Sequence, residues 1–356
     1  MSSIFGRFLT ITTFGESHGP AVGVILDGCP PGIALDEDTV QRDLDRRRPG
    51  QSAVTTQRQE PDRVEILSGV FEGTTTGASI AMMVRSVDAR PKDYSKLKDV
   101  FRPGHADFTY WKKYGVRDHR GSGRASGRET VARVAAGAVA RRILELEGCR
   151  VRACTVQVGD LVAKERDLDA AEENPVRCPD PAVAAEMERA ILDAREAGDS
   201  LGGVVEVVAT GVPVGLGDPV MDKLEASLAA GLLSIGAVKG FEVGEGFAAA
   251  RMRGSQMNDP MTAAGFASNR AGGILGGIST GEPIVCRVAV KPPSSIAVSQ
   301  QTVDKSGEER DLTVEGRHDP CLCPRVVPVV EAMTCLVLAD ALIRQRAIEP
   351  WRPEPA

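Results

Sequence analysis

The chain repeats itself, and the repeat limits its folds more than any other feature. Gly28-Cys-Pro-Pro-Gly-Ile33 is matched by Gly211-Val-Pro-Val-Gly-Leu216, and each precedes a helical pattern. Gly69-Val-Phe-Glu-Gly-Thr-Thr-Thr-Gly-Ala-Ser-Ile80 is matched by Gly273-Ile-Leu-Gly-Gly-Ile-Ser-Thr-Gly-Glu-Pro-Ile284, in the same order in each half. The competing explanation is chance agreement among turns in a chain with 38 glycines. A duplicated unit leaves an apolar face on each copy, and two such faces bury each other in one core. No linker-like stretch divides the halves, so residues 1–356 read as a single domain.

Periodicity and punctuation give the elements. Strands are expected at Phe8 to Phe14, Ala21 to Leu26, Val64 to Val70, Ala78 to Val84, Val151 to Val158, Val204 to Val208 and Ile284 to Val290. Asp36 to Arg48 reads as a helix with Val40 and Leu44 inward, stopped by Pro49. Further helices are expected from Ser126 to near Gly148, from Asp180-Pro181 to Gly198, from Met221 to Ile235 with Leu224, Leu228 and Leu232 stacked, and from Val326 to Gln345. Asp88 to Arg120 is basic and rich in Gly, Pro and Asp, the composition of a long functional loop. Pro350 to Ala356 reads as a frayed tail.

Gly121-Ser-Gly-Arg-Ala-Ser-Gly-Arg-Glu129 carries the clearest chemical signal. It is a glycine-rich loop running into a helix, and Ser126 and Glu129 have capping-box spacing. Arg124 and Arg128 bracket that start. Free backbone N–H groups, the positive end of the helix dipole and two guanidiniums would converge on an anion such as a phosphate. The bland alternative is a capped helix with two solvated arginines.

Only four histidines are present. His18 lies in Gly15-Glu-Ser-His-Gly19 after a strand, and His105 in Arg102-Pro-Gly-His-Ala-Asp107 inside the basic loop. Histidine is the side chain best suited to proton transfer near neutral pH. Asp319, in Arg317-His-Asp-Pro-Cys321, reads either as a proton acceptor held by Arg317 or as a helix N-cap before Pro320. Gly15 to Gly19 also fits the Gly-x-Ser-x-Gly elbow of serine hydrolases. That elbow requires a helix directly after the serine, whereas Pro20 and a β-rich Ala-Val-Gly-Val-Ile-Leu follow. No Gly-x-Gly-x-x-Gly follows the first strand, so a Rossmann nucleotide site is unsupported.

Composition excludes several classes. The net charge is -6 and aromatics are 4%, which argues against a nucleic-acid surface. No apolar run approaches the ~20 residues of a membrane span, and no signal-peptide core is expected at the start. The eight cysteines are scattered and read as reduced thiols, with no metal site expected. A cytoplasmic enzyme is the default class.

Taken together, the segments resemble chorismate synthase. The resemblance rests on Gly-Glu-Ser-His-Gly at 15–19, Asp-Arg-Arg-Arg-Pro-Gly at 45–50, Phe-Arg-Pro-Gly-His-Ala-Asp at 101–107 and Arg-Gly-Ser-Gly-Arg-Ala-Ser-Gly-Arg-Glu-Thr at 120–130. It continues through Gly-Gly-Ile-Leu-Gly-Gly-Ile-Ser at 272–279, Lys-Pro-Pro-Ser-Ser at 291–295 and Gly-Arg-His-Asp-Pro-Cys at 316–321. The resemblance implies an α+β fold, a β-α-β sandwich with internal pseudo-duplication, assembled as a homotetramer. It implies a lyase that converts 5-enolpyruvylshikimate 3-phosphate to chorismate and phosphate by anti-1,4-elimination, the last shikimate-pathway step in aromatic amino-acid biosynthesis. Reduced flavin mononucleotide (FMN) is required without net redox change. A separate flavin reductase supplies it, NADPH serving only indirectly as reductant.

By the same resemblance His18 acts as an acid near the substrate phosphate, and His105 faces the flavin. Asp319 accepts the proton relayed through the flavin. Arg47, Arg102, Arg128 and Arg317 clamp the anionic ligands. Arg124, Ala125, Ser126, Gly236, Ala237, Gly276, Lys291, Pro292, Pro293, Ser294, Ser295 and Arg317 match flavin-binding segments. The chain departs from many relatives at Ala53, Gly236 and Arg270, where a basic residue, asparagine and histidine are frequent.

Overall fold

The computed structural model describes residues 3–56, 60–87, 97–314, 316 and 318–348. The first half runs β1 (Ile4–Phe5), β2 (Thr10–Gly15), β3 (Ala21–Asp27), α1 (Glu37–Arg47), β4 (Val64–Ile66), β5 (Val70–Phe71), β6 (Thr74–Thr75), β7 (Ile80–Arg85), α2 (Asp107–Tyr114) and α3 (Thr130–Glu145). The second half opens with β8 (Arg150–Val158), β9 (Leu161–Val162), α4 (Pro181–Glu196), β10 (Gly203–Thr210), α5 (Leu224–Leu233) and β11 (Val238–Val243). It continues through α6 (Gly254–Met257), β12 (Met261–Thr262), β13 (Gly265–Phe266), β14 (Ile274–Leu275), β15 (Ile278–Ser279), β16 (Ile284–Val290), β17 (Gln300–Val303), β18 (Glu309–Leu312) and α7 (Cys323–Ala347).

Two five-stranded antiparallel sheets form the outer layers, in the orders β1-β2-β3-β7-β4 and β11-β16-β10-β8-β9. Without its edge strands β1 and β9, each sheet has one topology: β2-β3-β7-β4 in the first, β8-β10-β16-β11 in the second. The long helices lie between them. α3 packs on β2, β3 and β7, α7 packs on β8 and β10, and α3 packs on α7. This is the expected β-α-β sandwich. At the helix crossing a Cβ on Gly137 would stand 2.5 Å from Ala332 Cα, so glycine is what lets the two halves touch.

The repeat holds in its hydrogen bonds. Thr75 Oγ1 accepts from Ile33 N at 3.0 Å and donates to Pro30 O at 2.8 Å. Ser279 Oγ accepts from Leu216 N at 2.8 Å and donates to Pro213 O at 2.6 Å. Gly32 N donates to Thr75 O at 2.8 Å and Gly215 N to Ser279 O at 3.1 Å. These residues sit at matching positions of the two sequence repeats, so chance agreement is set aside.

Local signals place most elements. Asp36 caps α1 by accepting from Thr39 N at 2.7 Å, and Val40 and Leu44 are buried. Asp180 caps α4 with Pro181 in its first turn. Leu224, Leu228 and Leu232 are buried along α5. Five points differ from expectation. The first strand starts at Thr10 rather than Phe8, and Val64 to Val70 breaks after Ile66. The loop expected from Asp88 to Arg120 contains α2, and its residues 88–96 lie outside the described residues, as does the expected tail. Strand β11 was not anticipated, because Val-Lys-Gly-Phe-Glu-Val reads weakly. α7 is long and apolar enough to cross a membrane by length and composition, against the expectation from sequence, but 94% of that window is buried between the sheets.

Candidate active site

The two halves share one further feature. In each, the last central strand leaves through an irregular crossover to a long helix: β7 to α3, and β16 to α7. The two crossovers meet, and most of the anticipated residues lie where they do.

The first contribution is the turn between β2 and β3. Ser17 N donates to Gly123 O at 3.3 Å, docking the turn on the glycine-rich loop. His18 is buried against Gly121, whose φ is +64°. A Cβ there would stand 2.1 Å from His18 Cδ2, so the glycine is the seat of the imidazole. Ser17 is followed by β3 and not by a helix, which removes the hydrolase elbow.

Arg102 organises the first crossover. It is buried, and donates from Nε to Asp107 Oδ2 at 2.8 Å and from Nη2 to Asp107 Oδ1 at 3.0 Å. Its Nη2 also reaches the Ser122 hydroxyl and lies 3.2 Å from His105 Nδ1. Arg117 Nη1 completes the cage at 2.7 Å from Asp107 Oδ1. Burial would raise the Asp107 carboxyl, but hydrogen bonds from His105 and Arg102, with the Arg102 charge, pull it well below the carboxylate range. Burial, followed by the Arg102 charge, lowers His105 despite its contact with Asp107, so the neutral ring is favoured. Asp107, Arg117 and Ser122 were not singled out from sequence. The only signal for Asp107 was its place at the end of the Arg102 to Asp107 motif.

The second crossover closes on the first. Lys291 N donates to Ala237 O at 2.9 Å, and Lys291 Nζ to Gly104 O at 3.0 Å. Arg102 Nη1 donates to Ser295 Oγ at 3.3 Å, and Ser200 Oγ to Pro293 O at 2.7 Å. Ser294 lines the Gly104 turn, and Pro292 lies against Gly202. Burial and the Lys239 charge lower Lys291. Ala237 holds φ +74°, and the space a Cβ would take at Gly236 is open, as it is at Gly127. Gly276, in contrast, lies in the β14–β15 turn against the N-terminal end of α5. Gly236 follows the C-terminal end of that ten-residue helix, about 15 Å along its axis.

Asp319 is not a helix cap. α7 begins at Cys323 with Leu322 as its N-cap. Asp319 Oδ1 accepts from Thr56 N at 2.9 Å and Oδ2 from Arg325 Nη1 at 2.5 Å. Among the described residues the cationic partner is Arg325; Arg317, the residue expected from sequence, lies outside them. His318, passed over in the sequence, is lowered to about 4 by burial, with the Arg102 and His105 charges adding and Asp319 opposing.

The arginines beside the glycine-rich loop are more deeply engaged than expected. Arg47 is 2% exposed. It donates from Nη1 to Asp62 Oδ2 at 2.9 Å, from Nε to Thr130 Oγ1 at 3.1 Å and from Nη2 to Gly127 O at 2.7 Å. Burial and the Arg325 and Arg128 charges lower it to about 9, against the pull of Asp62. Arg128 donates to the other Asp62 oxygen at 2.8 Å. Arg124 donates to Gly15 O at 3.1 Å and Thr13 Oγ1 at 2.6 Å, and so bolts the loop to β2. The capping box does not form. Ser126 Oγ accepts from Arg128 N at 3.3 Å, but Glu129 turns to Arg133, and α3 starts only after 3-10 turns at Gly123–Ala125 and Gly127–Glu129. Arg47, Arg124 and Arg128 all meet protein acceptors, which fixes the guanidiniums beside the glycine-rich loop.

The arrangement offers a neutral imidazole, a second buried histidine, a carboxylate with both oxygens held, and an exposed-edge lysine beside open backbone. That set suits proton transfer next to a bound anion. The open backbone at Gly127 and Gly236, with Lys291 and the Ser294–Ser295 hydroxyls, also fits a phosphate-bearing planar group.

Comparisons with known proteins identify the family. The family model described as chorismate synthase matches residues 9–343. A chorismate synthase of Syntrophobacter fumaroxidans is 58% identical over 347 residues, covering 98% of this chain and 99% of the relative. One of Nitratidesulfovibrio vulgaris is 56% identical, covering 98% of each. A crystal structure of chorismate synthase superposes with a TM-score of 0.76 at 34% identity, covering 96% of this chain and 93% of that one.

Proposed function

This chain belongs to the chorismate synthase family, the lyases of the last shikimate-pathway step, and we propose that it works as follows. Its substrate is 5-enolpyruvylshikimate 3-phosphate, from which a carbon-bound proton and the phosphate leave in an anti-1,4-elimination. The observation that carries the reading is the meeting of the two crossovers, in which Arg102 touches His105, Ser295 and Ser122 at once.

His18, packed on Gly121 inside the glycine-rich loop, donates a proton to the departing phosphate. His105, kept neutral by burial, holds its ring through Arg102 and Asp107. Asp319 accepts the substrate proton at a carboxylate oxygen. A carboxylate has roughly four lone-pair positions, and Thr56 N and Arg325 occupy one on each oxygen, leaving acceptor capacity. Arg47, Arg102 and Arg128 supply the cationic wall that receives the two anionic ligands, and the resemblance assigns Arg317 the same role. Residues 124–126, Gly236, Ala237, Lys291 to Ser295 and Arg317 would hold FMN. When bound in its reduced form, FMN supplies electron density that assists loss of the phosphate. NADPH enters only as reductant through a separate flavin reductase. We place the enzyme in the cytoplasm as a homotetramer, a state that light scattering of the purified protein tests.

The test of function is anaerobic turnover of the named substrate with catalytic flavin, following chorismate absorbance and phosphate release. Turnover stops on flavin oxidation and resumes on reduction. Equal rates without reduced flavin contradict the cofactor assignment, and no phosphate release contradicts the reaction.

A further inference from the structure

Asp319 is held by a residue outside its own motif. Arg325 stands on the first turn of α7 and donates from Nη1 to Asp319 Oδ2 at 2.5 Å. Its Nε donates to Arg47 O, at the C-terminal end of α1, at 3.4 Å. Thr56, itself buried, supplies the second bond from its backbone N–H to the other carboxylate oxygen. The carboxylate is therefore fixed at two points, and the guanidinium that fixes it is fixed in turn by a helix-end carbonyl. Both side chains are largely buried, at 16% and 10% exposed, so water competes weakly for the pair. A planar guanidinium with several directed donors can tie a carboxylate and a carbonyl at once, which a lysine ammonium does less specifically.

We propose that Arg325 is the positioning residue for Asp319: it sets the carboxylate's orientation for proton acceptance and links it to the α1 end that carries Arg47. The alternative is a tether that merely anchors the start of α7. The two differ in how the residues couple. A positioning residue acts through Asp319 and has nothing to contribute once Asp319 cannot accept a proton. A tether acts on the fold whatever occupies position 319. This inference rests on the reading of Asp319 as proton acceptor.

The experiment is a double-mutant cycle on the full enzyme with substrate and reduced flavin, using Asp319→Asn, Arg325→Ala and the pair, with guanidinium chloride added at low concentration. Arg325→Ala is expected to lower kcat on the order of 10²-fold, the scale of a misplaced catalytic group, with KM little changed. Guanidinium ion is expected to restore part of that loss, and to do nothing for Asp319→Asn. The double variant is expected to be no slower than Asp319→Asn alone. Wild-type kcat in Arg325→Ala, multiplying losses in the double variant, or a loss that guanidinium does not rescue, each overturns the proposal. Wild-type kcat in Asp319→Asn instead overturns the proton-acceptor reading beneath it. Should Arg325→Ala not fold, Arg325→Lys keeps the charge and loses the fork. Its cycle with Asp319→Asn is then read by the same rule, with multiplying losses overturning the proposal and non-additive losses supporting it.

Discussion

The two corner turns and the two crossovers are equivalent parts of a duplicated chain, and they have diverged to opposite degrees. At the corners, Thr75 and Ser279 make the same hydroxyl bridge to matching backbone atoms. The crossovers share only their place between a central strand and a long helix. One carries His105 and the glycine-rich loop, and the other carries Lys291 to Ser295 and Asp319. A buried turn has few ways to satisfy its backbone groups, so its geometry persists. A crossover at the open end of a sandwich has no such restriction. Divergence there places unlike groups opposite each other, which a symmetric pair could not do.

The largest expected effect tests the junction that keeps the crossovers facing. Glu331 on α7 accepts from Arg46 at 2.5 Å, Arg141 at 3.0 Å and Ala153 N at 2.9 Å, joining α1, α3 and β8. Glu331→Gln leaves two arginines without their shared buried anion and is expected to cost about 3–5 kcal/mol in urea unfolding. Burial opposes the ionised form, but the Arg46 and Arg141 charges win and hold Glu331 at about 2, against an ordinary 4.5. Its contribution is thus full above 4.5 and is lost as pH falls toward 2. Wild-type acid stability in the variant would remove Glu331 from that role.

Next in size, Asp319→Asn is expected to lower single-turnover rates ~10²-fold or more, with flavin and substrate still bound, because general-base catalysis is worth that much. His105→Ala is expected to give a smaller loss that varies with pH.

The corners are then compared directly. Thr75→Val and Ser279→Ala each strand a buried N–H and C=O, and each is expected to cost about 1–3 kcal/mol. Urea midpoints that fall by similar amounts support equivalent corners; a loss at one only breaks the comparison.

At neutral pH the smallest effect concerns His318. Its native value of about 4 lies below the ordinary 6.5, so native stability falls as pH drops below 6.5 and levels off near 4. His318→Asn is expected to flatten thermal stability across that window. An unchanged slope would show that the ring is not kept neutral by the fold.

Much of the fold was legible because duplication, alternation and caps are local signals. Asp36 and Asp180 announced their helices, and the repeats announced the corners. The short strands were missed because pairs such as Val70–Phe71 are defined by their partner strand and not by a pattern. The helix α2 was hidden by its flanking glycines and prolines. In the site, histidines and motif arginines were visible as residue types. Asp62, Asp107, Thr56 and Arg325 were not, because each matters only through partners that packing selects and no local pattern announces.

By itself the sequence determined the repeat, the central strands, the long helices and the set of groups available for proton transfer near an anion. Those follow from local periodicity and side-chain chemistry. Only the tertiary structure decided which arginine pairs with which acid. It gave Asp319 to Arg325, turned Glu129 away from Ser126, and shared Asp62 between Arg47 and Arg128. The physical reason is that a buried charge must find its partner wherever packing puts one, and packing chooses among several arginines and acids both near and far along the chain.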